Sequence, residues 1–269
     1  MFIILAIVFV IIGCTSKSPV TYTLLGNYTP YWHIPERLNG KVEKVIEKTY
    51  WAIPDGNTLK KGNNITIKDR DSIDWTDDFE ATFDKTGDIV IIKYLDENNK
   101  SFYKWEIEKE NNILVTAKEI LNDTVISYQK FGYNTKGEII EISAYSSNVD
   151  TLLYSSSLIS NFKKDTITRQ FLNNKGVQFL KQVYLYNDEG QFLRRDSYNI
   201  EGAFLYANEV KYNEKGKISE LTFYDADKNV SAVQTYTYEY DYKGNWITAI
   251  VKDEIGRVIF EERVYTYFD

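Results

Sequence analysis

A turn signal recurs through this chain: Asp or Asn, two variable residues, then Gly. It stands at Asp84/Gly87, Asn134/Gly137, Asn173/Gly176, Asn187/Gly190, Asn199/Gly202, Asn213/Gly216, Asp241/Gly244 and Asp253/Gly256. A type I turn favours Asp or Asn at its first position and Gly at its fourth. A three-residue hairpin loop is such a turn followed by a left-handed residue that forms a bulge. Gly takes that conformation without a Cβ penalty, and Asn is the next best occupant. Asp96/Asn99 therefore belongs to the same set, and looser versions lie near Asn111, Asn122–Asp123, Asn148 and Asn229. A chain written this way reverses direction at short, regular intervals, which leaves room for strands and little else.

From Asp84 onward the turn centres fall about every 12 to 15 residues, one strand and one turn of an all-β meander per interval. Alternate turns resemble each other more closely than neighbours do. YNDEGQF, YNEKGKI and YDYKGNW form one set, and YNIEGAF, YDADKNV and KDEIGRV the other. The repeating unit is therefore a hairpin of about 24–28 residues, which buries its face against its neighbours. In VSAVQTYTYEYD, Tyr236, Tyr238 and Tyr240 alternate with Thr235, Thr237 and Glu239, as strand period demands. KVEKVIEKTYW, from Lys41, reads as a first strand by the same alternation. Three of the four prolines, Pro19, Pro30 and Pro35, precede it, and none follows Pro54, so no missing backbone donor interrupts the array.

Including the N-terminal segment, the pattern holds about 15 to 18 strands. Adjacent strands rotate by about 20–25°, and open sheets rarely exceed about ten strands without curling or splitting. The expected fold is all-β: a long antiparallel meander of hairpin repeats forming a curved or spiralled repeat sheet. Its last strand is expected to leave a free edge able to pair with another chain.

Residues Phe2 to Ile12 are continuously apolar. Such a run is too short to span a bilayer, which needs about 20 residues, but it fits the core of a secretory signal. It ends in Ile11-Ile12-Gly13-Cys14, and this resembles the lipobox of bacterial lipoproteins. The resemblance implies that Cys14 is lipidated and becomes the mature N-terminus, anchored by several acyl chains. The expected organisation is a signal peptide over 1–13, a lipidated tether and lead-in over 14–40, and a single β-repeat domain over 41–269. The membrane is then a partner through the lipid anchor, and the location is the cell envelope. Thr15 is not the Asp that resembles an inner-membrane retention signal, so an outer-membrane lipoprotein is expected.

The repeats carry a second resemblance. An aromatic, Asp or Asn, two residues, Gly, a variable residue and an apolar one is the signature of the RHS/YD-repeat superfamily. YDYKGNWI at 240–247 is the best copy, and YNEKGKI and YNDEGQF follow. The likeness covers about residues 80 to 269 and is to small envelope lipoproteins of Bacteroidetes that carry such repeats. It implies a meander that spirals, in larger relatives into a shell.

Catalysis finds little support. The chain has one histidine, His33, in the proline-rich lead-in, and one cysteine, Cys14. A metal site or a Ser-His-Asp triad would have to use that single His. No Gly-rich phosphate loop precedes a helix, so no cofactor is expected. A net charge of −7 argues against nucleic acid. Four stretches, Asp71-Ser72-Ile73, Asp123-Thr124-Val125, Asp150-Thr151-Leu152 and Asp165-Thr166-Ile167, resemble the O-glycosylation acceptor motif of exported Bacteroidetes proteins. Tyrosine supplies 22 of the aromatic residues, a type that packs by its ring while its hydroxyl stays wet. Tyr198, Tyr206, Tyr212, Tyr236, Tyr238 and Trp246 are the candidate binding surface for a glycan or protein partner; the competing reading packs these rings between repeats. The leading functional reading is a non-enzymatic, lipid-anchored binding or scaffold protein. The alternatives are a polysaccharide hydrolase with paired carboxylates and a shell component enclosing another polypeptide.

Overall fold

The computed structural model describes residues 38–73, 78–111, 113–161 and 166–269. Cys14, His33, the apolar N-terminal run and most of the lead-in lie outside the described residues. The elements run β1 (Val42–Asp55), β2 (Thr58–Asn64), α1 (Ile67–Ile73), β3 (Asp78–Phe83), β4 (Ile89–Leu95), β5 (Ser101–Glu110), β6 (Ile113–Leu121), β7 (Thr124–Tyr133) and β8 (Ile139–Ser146). They continue β9 (Leu152–Asn161), β10 (Thr166–Asn173), β11 (Gln178–Tyr186), β12 (Phe192–Tyr198), β13 (Phe204–Tyr212), β14 (Ile218–Tyr224), β15 (Val230–Tyr240), β16 (Trp246–Asp253) and β17 (Val258–Tyr267).

From β3 to β17 every strand pairs antiparallel with the next, as the turn spacing requires. The loops are type I turns with a bulge. At the β3–β4 turn Gly87 N–H donates to Asp84 C=O (3.0 Å) and Asp84 N–H to Asp88 C=O (2.8 Å). The Asp84 side chain accepts from Thr86 N–H and Asp88 N–H, which holds the loop from within. Gly87, Gly137, Gly176, Gly190, Gly202, Gly216, Gly244 and Gly256 all hold the bulge position, with φ between +71° and +87°. Asn99 (φ +64°) and Lys228 (φ +65°) hold the same position where Gly is missing.

The sheet does not spiral, and its last strand has no free edge. β1 pairs with β17 over Val42–Trp51 and, on its other side, with β3 over Lys44–Glu47. The two ends of the meander therefore meet on one strand, and β1 with β3–β17 closes a barrel of 16 strands. The spiralled-sheet expectation failed because a strand that will be an edge and one that will find a distant partner carry the same alternation. β2 lies outside the ring and pairs with the last part of β1, over Tyr50–Asp55.

The two sets of turns sort onto opposite rims. YNDEGQF, YNEKGKI and YDYKGNW form hairpins β11–β12, β13–β14 and β15–β16, on the rim where β1 begins and β17 ends. The other set forms β12–β13, β14–β15 and β16–β17, on the far rim. The terminal rim is tied to the lead-in: Asn39 N–H donates to Asn245 Oδ1 (2.7 Å), and Asn245 Nδ2 donates to Asn39 C=O (2.8 Å).

Strand alternation gives the wall two faces. The inner face carries Val45, Phe79, Ala81, Ile92, Trp105, Ala117, Ile142, Leu158, Ile167 and Tyr184, all at most 5% exposed. Most of these pack into one cluster. Barrels of 16 to 18 strands in porins leave an aqueous channel. Here large inner side chains, including Ile92, Ile142, Arg169 and Tyr184, are covered to their tips, so the inner face around them is packed against other groups rather than lining open water. Ile65, just after β2, joins a second inner cluster with Val251, Ile259, Trp51 and Tyr236.

Candidate functional site

The inner face is not uniformly apolar. Glu47 and Arg263, on β1 and β17, face inward and form a buried pair, Nε to Oε2 at 2.6 Å. Their side chains are each 2% exposed. Asp78, at the start of β3, is fully buried and accepts from Lys48 Nζ (2.9 Å) and from the N–H and hydroxyl of Thr49 (2.8 Å each). It also pairs with Arg70 of α1 at 3.1 Å. These two acids have cationic partners and hold the seam where the barrel closes.

Toward the far rim the inner face opens. Leu121 and Tyr206, on inner-face positions near that rim, are 40% and 39% exposed. Between them lies a polar and aromatic band carried by β5 to β13. Glu119 stands directly across from Trp105 on one side and Ser127 on the other. Tyr103 O–H donates to its Oε1 at 2.6 Å, and the Ser127 hydroxyl donates to its Oε2. Tyr103 packs on Tyr94 (5.4 Å between centroids) and edge-on to Trp105 (6.4 Å). Burial, then the adjacent Glu119 carboxylate, raises the Tyr103 hydroxyl far above its ordinary value. Burial and the same carboxylate raise Tyr154, three strands away on β9. The far side of the band is basic. Arg169 lies over the Phe171 ring (3.9 Å), Arg195 Nε donates to Asn208 Oδ1 (3.0 Å), and the Arg195 guanidinium stands 5.7 Å from the Tyr206 ring.

The six aromatics expected to form one binding surface are divided among four places. Tyr198 is on the outer wall, with Lys181 over its ring (5.7 Å) and its hydroxyl 3.5 Å from Asp196. Tyr206 alone lies at the open part of the inner face, where Gln182 Nε2 reaches its hydroxyl at 3.5 Å. Tyr212 is at the terminal rim and donates to Phe192 C=O (2.7 Å). Tyr236, Tyr238 and Trp246 pack inside, Tyr236 stacked on Tyr238 (6.3 Å) and Tyr238 against Trp246 (5.6 Å). Tyr240 does face Trp246 across the hairpin, as the turn register requires. The Tyr212 contact recurs: Tyr133 donates to Leu114 C=O (2.6 Å) and Tyr265 to Trp246 C=O (2.8 Å). A tyrosine at or near the end of a strand on this rim thus latches the start of the strand beside it.

The turn glycines do not gather at one place either. Gly87, Gly137, Gly190, Gly216 and Gly244 lie on the terminal rim, and Gly176, Gly202 and Gly256 on the far rim. Each gives its N–H to the carbonyl of the Asp or Asn three residues before it, at 2.9–3.2 Å. That bond closes a hairpin and leaves the glycine's own donor occupied, so these residues shape the rims rather than form a site.

Comparison with solved structures places this geometry. The fold is similar to that of a porin-like protein from Bacteroides uniformis. The identity is 9%, the TM-score 0.51, and the match covers 85% of this chain and 99% of that one. A porin-like protein from Bacteroides vulgatus matches at 9% identity and a TM-score of 0.41, over 84% of this chain and 98% of that one. No protein-family model matches the sequence, and no curated protein does. At such identity the likeness is one of fold alone, a closed antiparallel barrel.

The outer wall departs from what a membrane-spanning barrel presents. Ion pairs link its strands: Lys44 to Glu80 (3.5 Å) and Glu80 to Lys93 (2.8 Å), Lys104 to Glu106 (3.0 Å), Arg194 to Asp196 and Glu209 (2.8 Å each), and Lys211 to Glu220 (2.7 Å). Lys118 pairs with Glu108 in the same wall. Among the described residues no helix is long and apolar enough to cross a membrane, so membrane contact through this part of the chain would fall to that wall.

The residues that sequence reading passed over are Tyr103, Glu119, Ser127, Tyr154, Arg169 and Arg195. One signal marks several of them: a charge on the apolar parity of a strand. Glu119 lies between Ala117 and Leu121, Arg169 between Ile167 and Phe171, and Glu47 between Val45 and Thr49. Among the described residues no cluster of His, Cys, Asp and Glu has the makings of a metal centre.

Proposed function

We propose that this chain is a non-enzymatic cell-envelope protein, tethered by lipid at Cys14, whose barrel stands in water and whose far mouth is a binding surface. The observation that carries the reading is the ion-paired outer wall. A transmembrane barrel turns an apolar band about 25 Å tall toward lipid, and each Lys or Arg at the bilayer midplane costs about 2–4 kcal/mol. The strands here carry Lys, Arg, Asp or Glu on that face around most of the ring. A separate anchor is then what would hold the barrel at a membrane, and the lipobox-like Cys14 supplies one.

Two further observations support a binding role over the alternatives. The inner carboxylates whose charges both bear on Tyr236, Glu47 and Glu261, are 1% and 6% exposed, and Glu47 is engaged by Arg263. A polysaccharide has no access to them, and a hydrolase needs both of its acids at the bond it breaks. Among the described residues, the inner side chains packed into one cluster at mid-depth also speak against an enclosed polypeptide there.

Fractionation tests the reading. The natural chain should appear in the membrane fraction and incorporate a fatty-acid label. A Cys14→Ser chain, carrying an ordinary cleavable signal in place of residues 1–13, should be released by osmotic lysis as a folded, detergent-free barrel. Retention of the serine variant in carbonate-washed membranes would show that the wall itself sits in lipid and would overturn the proposal.

A further inference from the structure

The far mouth contains one acid whose setting differs from that of the two buried acids at the seam. Glu47 has Arg263, and Asp78 has Lys48 and Arg70. Glu119 has two hydroxyl donors, Tyr103 and Ser127, and among the described residues it forms no ion pair. Its side chain is half-buried on the inner face, one strand position deeper than the exposed Leu121. Hydroxyl donors orient a carboxylate but leave its charge uncompensated, and a partly desolvated negative charge attracts a cation more strongly than one in water does.

The surrounding groups narrow the kind of cation. Trp105 is in register across from Glu119, Tyr103 touches it, Tyr94 packs on Tyr103, and Tyr154 stands on the same inner face, its ring 6.3 Å from that of Phe171. Aromatic walls beside an anion suit a cation with an apolar coat: ring faces attract the charge, and the ligand's carbons pack where a hydrated metal ion would lose its water. A metal would also ask for several oxygen ligands from protein, typically six or more for calcium, and here one carboxylate stands among hydroxyls. The two arginines of the band lie beyond Phe171, on β10 and β12, and bound the site on the other side.

We propose that Glu119, with Tyr103, Trp105 and Tyr154, forms a binding site for an organic ammonium group reached from the far mouth of the barrel. The inference rests on reading the mouth as a binding surface and names the ligand chemistry it takes. The ammonium could be a free amine or a lipid headgroup, and both offer the same charge and methyl or methylene coat.

The test uses the full-length protein in a non-ionic detergent, with choline chloride as the probe, sodium chloride at matched ionic strength as the control and glucose as a neutral comparison. Tryptophan fluorescence is followed, because Trp105 lies in the site. Choline should give a saturable change in the millimolar range that sodium and glucose do not give. Glu119→Gln keeps the shape and one hydroxyl donor, the other hydroxyl turning to accept from the amide NH2, and should weaken choline by about tenfold or more. Tyr154→Leu keeps the carboxylate and should weaken it by about threefold. Circular-dichroism melts of both variants confirm that they are folded before they are compared. A second arm adds vesicles of phosphatidylcholine or phosphatidylglycerol: preference for the former with weak response to free choline identifies a headgroup as the source, and the reverse identifies a free amine. Equal choline binding by wild type and Glu119→Gln, equal response to glucose, or no saturable response to choline or to phosphatidylcholine overturns the inference. Each of those results leaves the tether and the water-facing wall untouched, because fractionation reads them separately.

Discussion

Arg263 Nε donates to Glu47 Oε2 at 2.6 Å across 216 positions of sequence. The two residues sit opposite each other in register on β17 and β1, so the pair marks the seam at which the meander becomes a ring. Arg263 also lies over the Trp246 ring at 3.8 Å, which places its guanidinium against the inner aromatic layer. A buried pair of this kind does not make a strong case for net stability, because desolvating both charges is expensive. Breaking one side is different. Arg263→Ala should cost about 3–5 kcal/mol, since Glu47 is left charged and buried. Glu47→Leu with Arg263→Met should recover most of that loss. Urea denaturation of Glu47→Leu, Arg263→Met and the double variant gives the coupling directly, and additive losses would show that the pair is not the seam's keystone.

The turn glycines allow a cleaner test of backbone conformation. Gly87 has φ +87°, and a Cβ built on it meets no atom within 4 Å. Any cost of Gly87→Ala is therefore backbone strain, about 1–2 kcal/mol. Gly87→Asn should cost less, because Asn tolerates the left-handed region and Asn99 already holds it at φ +64° in the next loop. At Gly244 the same alanine substitution brings its Cβ to 3.2 Å from Asn39 Nδ2, so it should also loosen the lead-in. Equal midpoints for the Ala and Asn variants at position 87 would remove the conformational explanation.

These turns explain why so much of the fold was legible. Their chemistry is local: Asp or Asn, two residues and Gly bend the chain whatever surrounds them, so the strand boundaries and the antiparallel order follow from reading along the sequence. Closure is not local. Nothing in VIFEERVYTY distinguishes a strand that ends a sheet from one that will meet β1, and the charges that mark the meeting, Glu47 and Arg263, are far apart in the chain. The candidate aromatic residues are dispersed for a related reason. Tyr198 and Tyr206 are both even-numbered, but the bulged turn between β12 and β13 changes which parity faces inward, and Tyr206 and Tyr212 lie toward opposite ends of β13. One ring went to the wall, one to the mouth and one to the rim latch. Glu119 was legible only as an oddity, an acid at an apolar position between Ala117 and Leu121.

Two buried tyrosines of the terminal rim predict behaviour at high pH. Burial raises the Tyr133 hydroxyl from 10.0 to about 12, and it donates to Leu114 C=O. Tyr267 is likewise raised to about 12, chiefly by burial, with Asn245 opposing the shift and Asp241 adding to it. A folded-state pKa above the unfolded value favours the neutral phenol. The contribution is therefore fully present below about pH 10 and is lost as pH rises from 10 toward 12. Thermal midpoints should fall across that window in the natural protein. A Tyr133→Phe, Tyr267→Phe double variant should show a shallower fall there, while starting lower at neutral pH by about 0.5–1.5 kcal/mol for each lost hydrogen bond. Identical pH profiles would show that these hydroxyls ionise without cost to the fold.

Asp78 ties the irregular segment to the ring. Its carboxylate takes the N–H and hydroxyl of Thr49 at the point where β1 changes partner from β3 to β2, and it pairs with Lys48 on β1 and Arg70 on α1. Arg70 in turn donates to Leu95 C=O at 3.0 Å, so α1 is fastened to β4 as well. Thr66 and Asp69 cap the start of that helix reciprocally: Thr66 N–H donates to Asp69 Oδ2 at 2.9 Å, and Asp69 N–H to Thr66 Oγ1 at 3.2 Å. Asp78→Ala leaves two cations beside a buried, unmatched N–H, and should cost about 3–5 kcal/mol. Part of that loss should be local. Hydrogen exchange is expected to accelerate over β2 and residues 65–73 well before it does over β10–β13, because the latter share no contact with Asp78. The conservative variant Asp78→Asn keeps an acceptor for Thr49 but not the charge, so it should loosen the Arg70 side while sparing the Thr49 amide. Uniform acceleration around the whole ring in both variants would mean instead that Asp78 guards global closure, and that the β1–β3 junction opens only when the barrel does.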